Sequence, residues 1–357
     1  MRNRLLWPSL LTLGMLGLAA CGEETTTQPN SAVEQPAAPQ LAVTSNTWLT
    51  RRDMPLELYE QVTAVVPNAA GQSILYAIGG GKMDGYAGTP VPMGEVRAYN
   101  VATNTWTSKQ DMPVARWGMN GAGVIGGKIY VAGGYNKSGW YQGATAGLYV
   151  YDIASNTWTR KRDMPAPGGG GLAGVIGGKL YVATLNLSSP DESKWFINFF
   201  RYNPTTDSWT KLPSPADAPI VYVGGGVINN KFYVVGATWS LQSRLVEYDP
   251  VTNHWTQKQP WTNPSCEPGF GCIISGPSTI MLSHLYVFGG YTTGPTGGAG
   301  IFIYDPLSDT WSTKPLLTTF NYWDPTRLRA AKVFVNGSPR VEVIGGYRPG
   351  NNQQYIP

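Results

Sequence analysis

Charged residues are scarce in this sequence. Asp, Glu, Lys and Arg make up 13% of its 357 residues, about half of the ~25% that is usual in globular domains. The formal net charge is only +4, and no run of five or six like charges occurs. A nucleic-acid-binding surface needs a basic stripe, so this composition excludes nucleic acid as an expected partner.

The composition is also unfavourable for helices. Lys and Glu are few, whereas glycine accounts for 44 residues, about 12% of the chain, against the usual ~7%. The sequence has 13 Trp and 20 Tyr, residue types that favour strands. Because 42% of the residues are hydrophobic, a large core is possible and disorder is excluded. We therefore expect strands joined by turns.

The apolar stretch near the start of the chain is too short to span a bilayer. It covers Leu5–Leu18, about 14 residues, whereas the hydrocarbon core is ~30 Å thick. Following Arg2 and Arg4, it has the pattern of a secretory signal peptide. The small residues before Cys21 resemble the lipobox of bacterial lipoproteins, in which cleavage precedes a cysteine that receives a diacylglycerol. The alternative is an ordinary signal peptide with a cysteine nearby.

These features divide the chain into three parts. Residues 1–20 are predicted to be a lipoprotein signal peptide, residues 21–44 a lipidated cysteine with a flexible tether, and residues 45–357 the folded domain. The resemblance implies an exported lipoprotein that is anchored to a membrane through Cys21. Gly22 after the cysteine resembles the outer-membrane sorting pattern, so the expected location is the outer membrane facing the periplasm, or the cell surface.

The other two cysteines lie close together in the sequence. Five residues separate Cys266 from Cys272, and in an exported protein this spacing predicts a local disulfide. No second pair of ligands accompanies them, as a zinc site would require. We expect neither a metal site nor a cofactor.

The folded part contains an internal repeat. Six tryptophans recur at intervals of 58, 52, 51, 46 and 56 residues: Trp48, Trp106, Trp158, Trp209, Trp255 and Trp311. A Tyr-Asp or Tyr-Asn pair precedes five of them: Tyr99-Asn100, Tyr151-Asp152, Tyr202-Asn203, Tyr248-Asp249 and Tyr304-Asp305. A hydrophobic strand ending in Gly-Gly lies upstream, as at residues 129–134. The segments after the tyrosines are predicted to be turns, because Asp and Asn bond their own backbone and tolerate the left-handed region.

A period near 50 with Gly-Gly, Tyr-Asp and Trp in a fixed order resembles the kelch repeat. This resemblance covers residues 45–357 and implies an all-β fold, a six-bladed kelch β-propeller with four antiparallel strands per blade. The first five blades are expected at residues 60–110, 117–161, 171–212, 221–259 and 273–314.

The sixth blade is predicted to be split between the two ends of the chain. Arg329–Val335, Arg340–Gly346 and Gln353–Ile356 supply three strands, and Thr47–Arg52 supplies the fourth. The N-terminal strand would thus join the C-terminal blade and close the ring, which removes the exposed edges of an open sheet.

The connections of such a propeller alternate between two faces. Turns between the first and second and between the third and fourth strands are short here, whereas the remaining connections are long and irregular. Long irregular loops on a rigid scaffold often bind ligands. Six tryptophans outside the repeat and the leader fall in or beside these loops: Trp117, Trp140, Trp195, Trp239, Trp261 and Trp323.

These tryptophans, together with Tyr141, are candidates for a rim of aromatic platforms that binds a protein or a sugar. The alternative is that each ring belongs to a small core beneath a large loop. The charged candidates near the axial mouth are Arg116, Arg327, Glu57 and Glu60. They predict a clamp for a carboxylate or hydroxyl, or alternatively a hydrogen bond that anchors a loop.

Two functions fit these features. The first is a membrane-anchored, extracytoplasmic binding module for a protein or glycan ligand, acting through the aromatic loop face as a monomer. The second is a sugar epimerase or mutarotase at the axial mouth, which the resemblance in size, blade number and export to the N-acetylneuraminate epimerase family implies. No catalytic set of that family stands out here, so the binding module is favoured over an enzyme.

A copper oxidase is not expected. The galactose oxidase-like members of the kelch group hold copper with two His and two Tyr. The two histidines of this chain, His254 and His284, are both predicted on the face of the short turns, away from the long loops.

Overall fold

The computed structural model describes most of the folded part of the chain. The described residues are 46–83, 89–139, 142–186, 196–216, 221–238, 242–261, 272–273, 276–289, 291–292, 300–315, 328–345 and 352–357. Within them the chain forms strands and turns and no helix. Accordingly, the described part contains no helix with the length and apolar composition to cross a membrane.

The strands form six four-stranded sheets and one short pair. Blade 1 contains β2 (Val62–Pro67), β3 (Ser73–Met83), β4 (Pro90–Asn100) and β5 (Thr105–Ser108). Blade 2 contains β6 (Ala122–Ile125), β7 (Lys128–Ala132), β8 (Leu148–Asp152) and β9 (Thr157–Lys161). Blade 3 contains β10 (Gly169–Ile176), β11 (Lys179–Asn186), β12 (Phe196–Asn203) and β13 (Ser208–Leu212).

The second half of the chain continues the pattern. Blade 4 contains β14 (Val221–Ile228), β15 (Lys231–Ala237), β16 (Ser243–Asp249) and β17 (His254–Gln257). Blade 5 contains β19 (Ser278–Met281), β20 (His284–Phe288), β22 (Gly300–Asp305) and β23 (Thr310–Pro315). Beside it, β18 (Cys272–Ile273) pairs with β21 (Tyr291–Thr292). Blade 6 contains β24 (Leu328–Val335), β25 (Ser338–Gly345), β26 (Asn352–Ile356) and β1 (Thr47–Thr50).

The predicted fold is confirmed, including the way in which the ring closes. All strand pairs within the blades are antiparallel, and β1 pairs with β26 so that Thr47 lies opposite Ile356 and Thr50 opposite Gln353. The first strand of each blade contacts the first strand of the next, from β2 round to β24 and back to β2. The structure differs in the short pair β18–β21, which the sequence analysis did not predict.

Close packing between neighbouring blades accounts for part of the glycine content. A Cβ atom added to Gly174 in β10 would lie 2.6 Å from Val227 Cγ2 of blade 4, and one added to Gly226 in β14 would lie 2.5 Å from Ile280 Cγ1 of blade 5. Contacts this short are not tolerated between carbon atoms, so the first strands can approach only where the side chain is absent.

Tight turns join the first and second strands of blades 2 to 6. Both central residues have positive φ in each turn, the combination of a type I′ hairpin. The pairs are Gly126-Gly127, Gly177-Gly178, Asn229-Asn230, Leu282-Ser283 and Asn336-Gly337. Four pairs use glycine or asparagine, which tolerate this conformation, whereas Leu282-Ser283 does not.

The repeated tyrosine and asparagine or aspartate have a shared structural role. In each blade a tyrosine of the third strand donates a hydrogen bond to an Asn or Asp that precedes the fourth strand and has positive φ. The pairs are Tyr99–Asn104, Tyr151–Asn156, Tyr202–Asp207, Tyr248–Asn253, Tyr304–Asp309 and Tyr355–Asn46, at 2.5–3.2 Å. In blade 6 the bond joins residues 309 positions apart, so it also ties the two ends of the domain together.

The repeat tryptophans connect successive blades. Each one packs against the tyrosine opposite, with ring centroids 4.8–5.2 Å apart. In blades 1 to 5 the indole Nε1 donates to a backbone oxygen of the link that leads into that blade, as from Trp158 to Gln110 at 2.9 Å. In blades 1 to 5 the repeat tryptophans therefore tie each blade to the link that precedes it.

Candidate functional site

The strand order separates the connections into two faces. Turns between the first and second strands and between the third and fourth strands lie on one face, here called the short-turn face. Connections between the second and third strands, and the links between blades, lie on the other, here called the long-loop face. In blade 2, for example, two residues join β6 to β7, whereas 15 residues join β7 to β8.

Several predicted site residues lie outside the described part of the chain. These are Trp140, Tyr141, Trp195, Trp239, Trp323, Arg327, Cys21 and Cys266. Cys272 lies in β18, but the predicted disulfide with Cys266 falls outside the described residues. The predicted roles of these residues remain predictions.

Trp117 lies beneath the loops of the long-loop face. It belongs to a cluster with Tyr59 and Tyr135, here called the loop core, and none of the three rings has more than 2% of its surface exposed. The ring centroids of Trp117 and Tyr135 are 4.9 Å apart, and those of Trp117 and Tyr59 are 6.4 Å apart. Of the two interpretations of Trp117, the structure shows the core beneath a loop.

The backbone fixes this loop core between blades 1 and 2. Trp117 exchanges backbone hydrogen bonds with Tyr135 at 3.1 and 2.9 Å, and Tyr59 does so with Gly81 at 3.1 and 2.8 Å. The indole Nε1 of Trp117 donates to Lys137 O at 3.4 Å. Tyr135 follows a Gly-Gly pair in the sequence, a position that could have marked it as the start of a structured loop.

Arg116 anchors the connection between β7 and β8. Its guanidinium is buried, and Nη1 donates to the backbone oxygens of Gly133 and Gly147, both at 3.0 Å. The group also lies 4.6 Å from the ring centroid of Tyr149. Burial lowers the pKa of Arg116, although arginine remains charged in proteins. Gly133 and Gly147 lie at the two ends of the same connection. Arg116 therefore positions a loop of the long-loop face, which is the loop-anchoring role considered for it from the sequence.

Glu60 lies near the inner end of blade 1. It is half-buried, has a φ of 51°, and its Oε2 lies 3.0 Å from the position of a Cβ added to Gly118 in the following blade. Burial lowers the pKa of Arg329, and the negative charge of Glu60 acts in the opposite direction. Opposite charges of blades 1 and 6 are therefore in electrostatic contact. Glu57, by contrast, is exposed.

Trp261 lies in a core and not on an exposed rim. Trp261 has only 7% of its surface exposed and packs edge-on against Phe302, with ring centroids 4.6 Å apart. Its ring therefore belongs to the core between blades 4 and 5.

Arg329, the second residue of β24, was not singled out from the sequence, because no repeat mark points to that position.

Both histidines occupy the short-turn face. His254 begins β17 and His284 begins β20, each directly after a short turn. The Nδ1 atom of His284 lies 2.6 Å from Leu282 O, and its Nε2 lies 3.8 Å from the Asp305 carboxylate. Their predicted distance from the long loops is confirmed. Among the described residues, no group of three or more His, Cys, Asp or Glu could hold a metal ion.

Comparison with protein families gives a match over more than half of the chain. The family model described as the KLHDC2/KLHL20/DRC7 Kelch-repeats domain matches residues 61–282. The matched region begins just before β2 and ends in the turn after β19, so it covers blades 1 to 4 and enters blade 5.

The chain is also similar to several curated proteins. Kelch-like protein terF of Aspergillus terreus is 34% identical over 148 residues, 40% of this chain and 32% of its own length. Beta-scruin of Limulus polyphemus is 24% identical over 257 residues, 68% of this chain and 25% of its own length. Human Kelch-like protein 23 is 27% identical over 271 residues, 75% of this chain and 43% of its own length. The matches therefore span less than half of each of these relatives.

Proposed function

The chain belongs to the kelch-repeat family of β-propellers, and from that premise we propose that it is a binding module that holds a protein partner on its long-loop face. The observation that carries this proposal is the rigid support beneath that face. The loop core of Tyr59, Trp117 and Tyr135 is buried, and Arg116 bonds the two ends of the connection that follows β7. Preorganised loops bind with a smaller loss of conformational entropy.

Aromatic residues in the same connections supply the contact chemistry. The sequence between β7 and β8 contains Trp140 and Tyr141, and that between β11 and β12 contains Trp195. Large aromatic side chains dominate the energetics of protein interfaces because they bury much area with few rotatable bonds. Trp239 and Trp323 belong to the same proposed rim.

A crosslinking experiment tests which face the partner uses. A photoreactive amino acid at Ser138, on the long-loop face, should crosslink a partner protein in the envelope, whereas one at Thr252, on the short-turn face, should not. Replacing Trp140, Trp195 and Trp323 together by alanine should reduce the crosslink at Ser138 at least tenfold. Equal crosslinking at both positions, or a yield that is unchanged in the triple variant, would contradict the proposal.

The triple tryptophan variant also tests for a glycan ligand. Binding of the purified protein to a glycan array that disappears in the triple tryptophan variant, without any protein crosslink, would replace the protein partner by a sugar. Mutarotation is tested separately, by following anomer exchange of N-acetylneuraminate by NMR. An exchange rate that equals the rate without protein removes the epimerase alternative.

The first part of the sequence supports a proposal for the location of the protein. We propose that Cys21 carries a lipid that anchors the propeller on the extracytoplasmic side of a membrane. Growth with an alkyne-bearing fatty acid should label the wild-type protein and leave the Cys21→Ser variant unlabelled. Equal labelling of both would show that the lipid is attached elsewhere, and no labelling of either would remove the anchor.

A further inference from the structure

The short-turn face carries the three most exposed large apolar side chains of the described residues, together with Phe334. Val251 and Leu307 have 92% and 89% of their surface exposed, and Leu282 and Phe334 have 58% and 46%. Val251, Leu282 and Leu307 lie in short turns of blades 4 and 5, and Phe334 is the second-last residue of β24, which leads into a short turn of blade 6. Together they are here called the apolar sector. Exposed apolar side chains grouped on neighbouring blades mark a site of contact.

The repeat shows that the fold does not require these side chains. At the turn position of Val251 and Leu307, blades 1, 2 and 3 have Ala102, Ala154 and Thr205. The apolar side chains are therefore specific to one half of the ring.

Leu282 is also held in an unfavourable backbone conformation. Its φ is 51°, where the equivalent turns begin with glycine or asparagine. A leucine at this position is destabilising, so its presence indicates a role outside the folding of the hairpin.

The chain enters the propeller at the same place. Asn46, at the start of the described domain, lies on the short-turn face, where Tyr355 donates to its Oδ1 at 3.2 Å. The strand that follows, β1, belongs to blade 6, next to Leu307 in blade 5 and in the same blade as Phe334. The segment that contains Cys21 therefore joins the propeller beside the apolar sector.

Lysine side chains lie beside carboxylates of this sector. Lys231 lies 2.7 Å from Glu247 and 3.4 Å from Asp249, and Lys258 lies 3.6 Å from Asp309. Lys332 lies 5.5 Å from the ring centroid of Phe334, so a basic group accompanies the aromatic ring. Apolar tips beside a cation fit the boundary between acyl chains and anionic headgroups.

We propose that the apolar sector rests on the lipid bilayer to which Cys21 is anchored, so that the long-loop face points away from the membrane. This inference rests on the proposed lipid anchor. Twenty-four residues separate Cys21 from Asn46, and if they form the tether that the sequence predicts, a chain of that length has a root-mean-square extension of roughly 27 Å. The anchor therefore keeps the sector close to the bilayer, where weak contacts of four side chains become effective.

Quenching by brominated lipids measures this contact. The lipidated full-length protein carries bimane on a cysteine introduced as Leu307→Cys or Phe196→Cys, and is reconstituted in phosphatidylethanolamine–phosphatidylglycerol vesicles with or without brominated acyl chains. Phe196 is the matched control, because it is an exposed apolar residue, at 48%, at the start of a third strand on the opposite face. Wild-type protein gives the background from its own cysteines.

The proposal predicts that brominated chains reduce the bimane fluorescence at position 307 at least twofold and change that at position 196 by less than a tenth. Absence of quenching at position 307, or equal quenching at both positions, would overturn it. A second copy of the chain on this face would shield the probe from water without bromine quenching, and would also overturn it. If fatty-acid labelling succeeds and quenching fails, the anchor stands and only the orientation is lost.

A second set of variants separates contact from proximity. Val251→Ser, Leu282→Asn and Phe334→Ser together remove apolar side chains without touching the probe at position 307. Quenching at that position should fall at least twofold in this variant, whereas Leu49→Ser, a change of an exposed apolar residue in β1, should leave it unchanged. Undiminished quenching in the triple variant would show that the tether alone brings the probe to the membrane.

Discussion

At the scale of single residues, Leu282 shows a local conflict between sequence and backbone. Its φ of 51° lies in the left-handed region, which costs an L-residue about 1–2 kcal/mol relative to glycine, and asparagine tolerates it better. We expect Leu282→Asn to raise the free energy of unfolding by about 1 kcal/mol in urea titrations. Leu307→Asn, at an exposed turn position without positive φ, should change it by less than about 0.5 kcal/mol. An equal effect of both would attribute the gain to polarity and not to the backbone.

Glu342 is a second residue that departs from the repeat. In the second strands of blades 1 to 5 the equivalent position is a tyrosine, and Tyr76, for example, packs 6.0 Å from Tyr151 of the next blade. Glu342 has no exposed surface, and its Oε1 accepts a hydrogen bond from Gln354 at 2.6 Å. Within the described part of the chain its Oε2 has no hydrogen-bond partner.

Burial makes this carboxyl group sensitive to pH near neutrality. Burial raises the pKa of Glu342 to about 7, although Gln354 and the positive charge of Arg51 act in the opposite direction. The Tyr99 hydroxyl faces it from blade 1, where the carboxylate helps to raise the pKa of that tyrosine. An uncompensated buried carboxylate is unfavourable, so the folded protein holds the proton more tightly than the unfolded chain.

The pH dependence follows from this sign. Because the folded-state pKa lies above the unfolded value of about 4.3, the stability is full below pH 4.3 and is lost as the pH rises through about 7. The loss amounts to about 4 kcal/mol at most, at roughly 1.36 kcal/mol per pKa unit. Glu342→Gln should remove most of this dependence between pH 5 and 8 in urea titrations. A wild-type-like slope in the variant would show that another group titrates.

At the scale of elements, one hydrogen bond recurs in every blade. It joins the tyrosine of the third strand to the Asn or Asp that precedes the fourth strand. Asn156 accepts from the Tyr151 hydroxyl at 2.5 Å and from the backbone N–H of Gln110 at 2.9 Å, with a φ of 55°. It therefore joins two strands and the preceding link, in a conformation that few residues tolerate.

Replacing this asparagine should destabilise the whole domain. Asn156→Ala removes two hydrogen bonds and places at positive φ a residue that tolerates this conformation less well than asparagine, so we expect a loss of about 2–3 kcal/mol in the free energy of unfolding. Asn156→Asp retains the acceptor and the tolerance for positive φ, as Asp207 does in blade 3, and should lose less than about 1 kcal/mol. A loss of the same size in both variants would assign the effect to charge or to the side-chain amide.

The contacts of the repeated residues explain why the fold could be predicted from the sequence. Two of the repeat marks correspond to contacts that recur in every blade: the tyrosine donates to the Asn or Asp before the fourth strand, and the tryptophan packs against that tyrosine. The fold, the blade order and the ring closure could therefore be predicted. Arg116, Trp117 and Trp261 were identified in the sequence, but whether they face a ligand or a core depends on how each loop packs, which no repeat specifies.

Glu342 was missed for a related reason. It stands in a strand that otherwise follows the repeat and ends in Gly-Gly, so the pattern conceals a substitution at its centre. Arg329 was missed because its interaction with Glu60 joins the last blade to the first, a contact between residues far apart in the sequence. Such contacts depend on the ring and not on a local motif.

At the scale of the whole molecule, the junction of β1 with β26 closes the ring. Because the last blade combines both chain ends, the pairing of these two strands completes that blade. Four residue pairs join them, from Thr47–Ile356 to Thr50–Gln353, and the Tyr355–Asn46 bond extends the contact. The cost of holding ends about 300 residues apart grows only slowly with loop length, so a short strand suffices.

A disulfide across this junction tests whether its opening limits stability. Thr50 and Gln353 are opposite each other, and Gln353 Nε2 donates to Thr50 Oγ1 at 3.3 Å, so Thr50→Cys with Gln353→Cys places two thiols side by side. Closing so large a loop should stabilise the oxidised form by up to about 5 kcal/mol. Guanidinium unfolding of the oxidised and reduced variant, with the wild type treated identically, separates this bond from the natural cysteines. If the oxidised variant unfolds at the wild-type midpoint, the ring opens first between other blades. The junction of β1 with β26, in the same blade as Glu342, is then not the weakest part of the propeller.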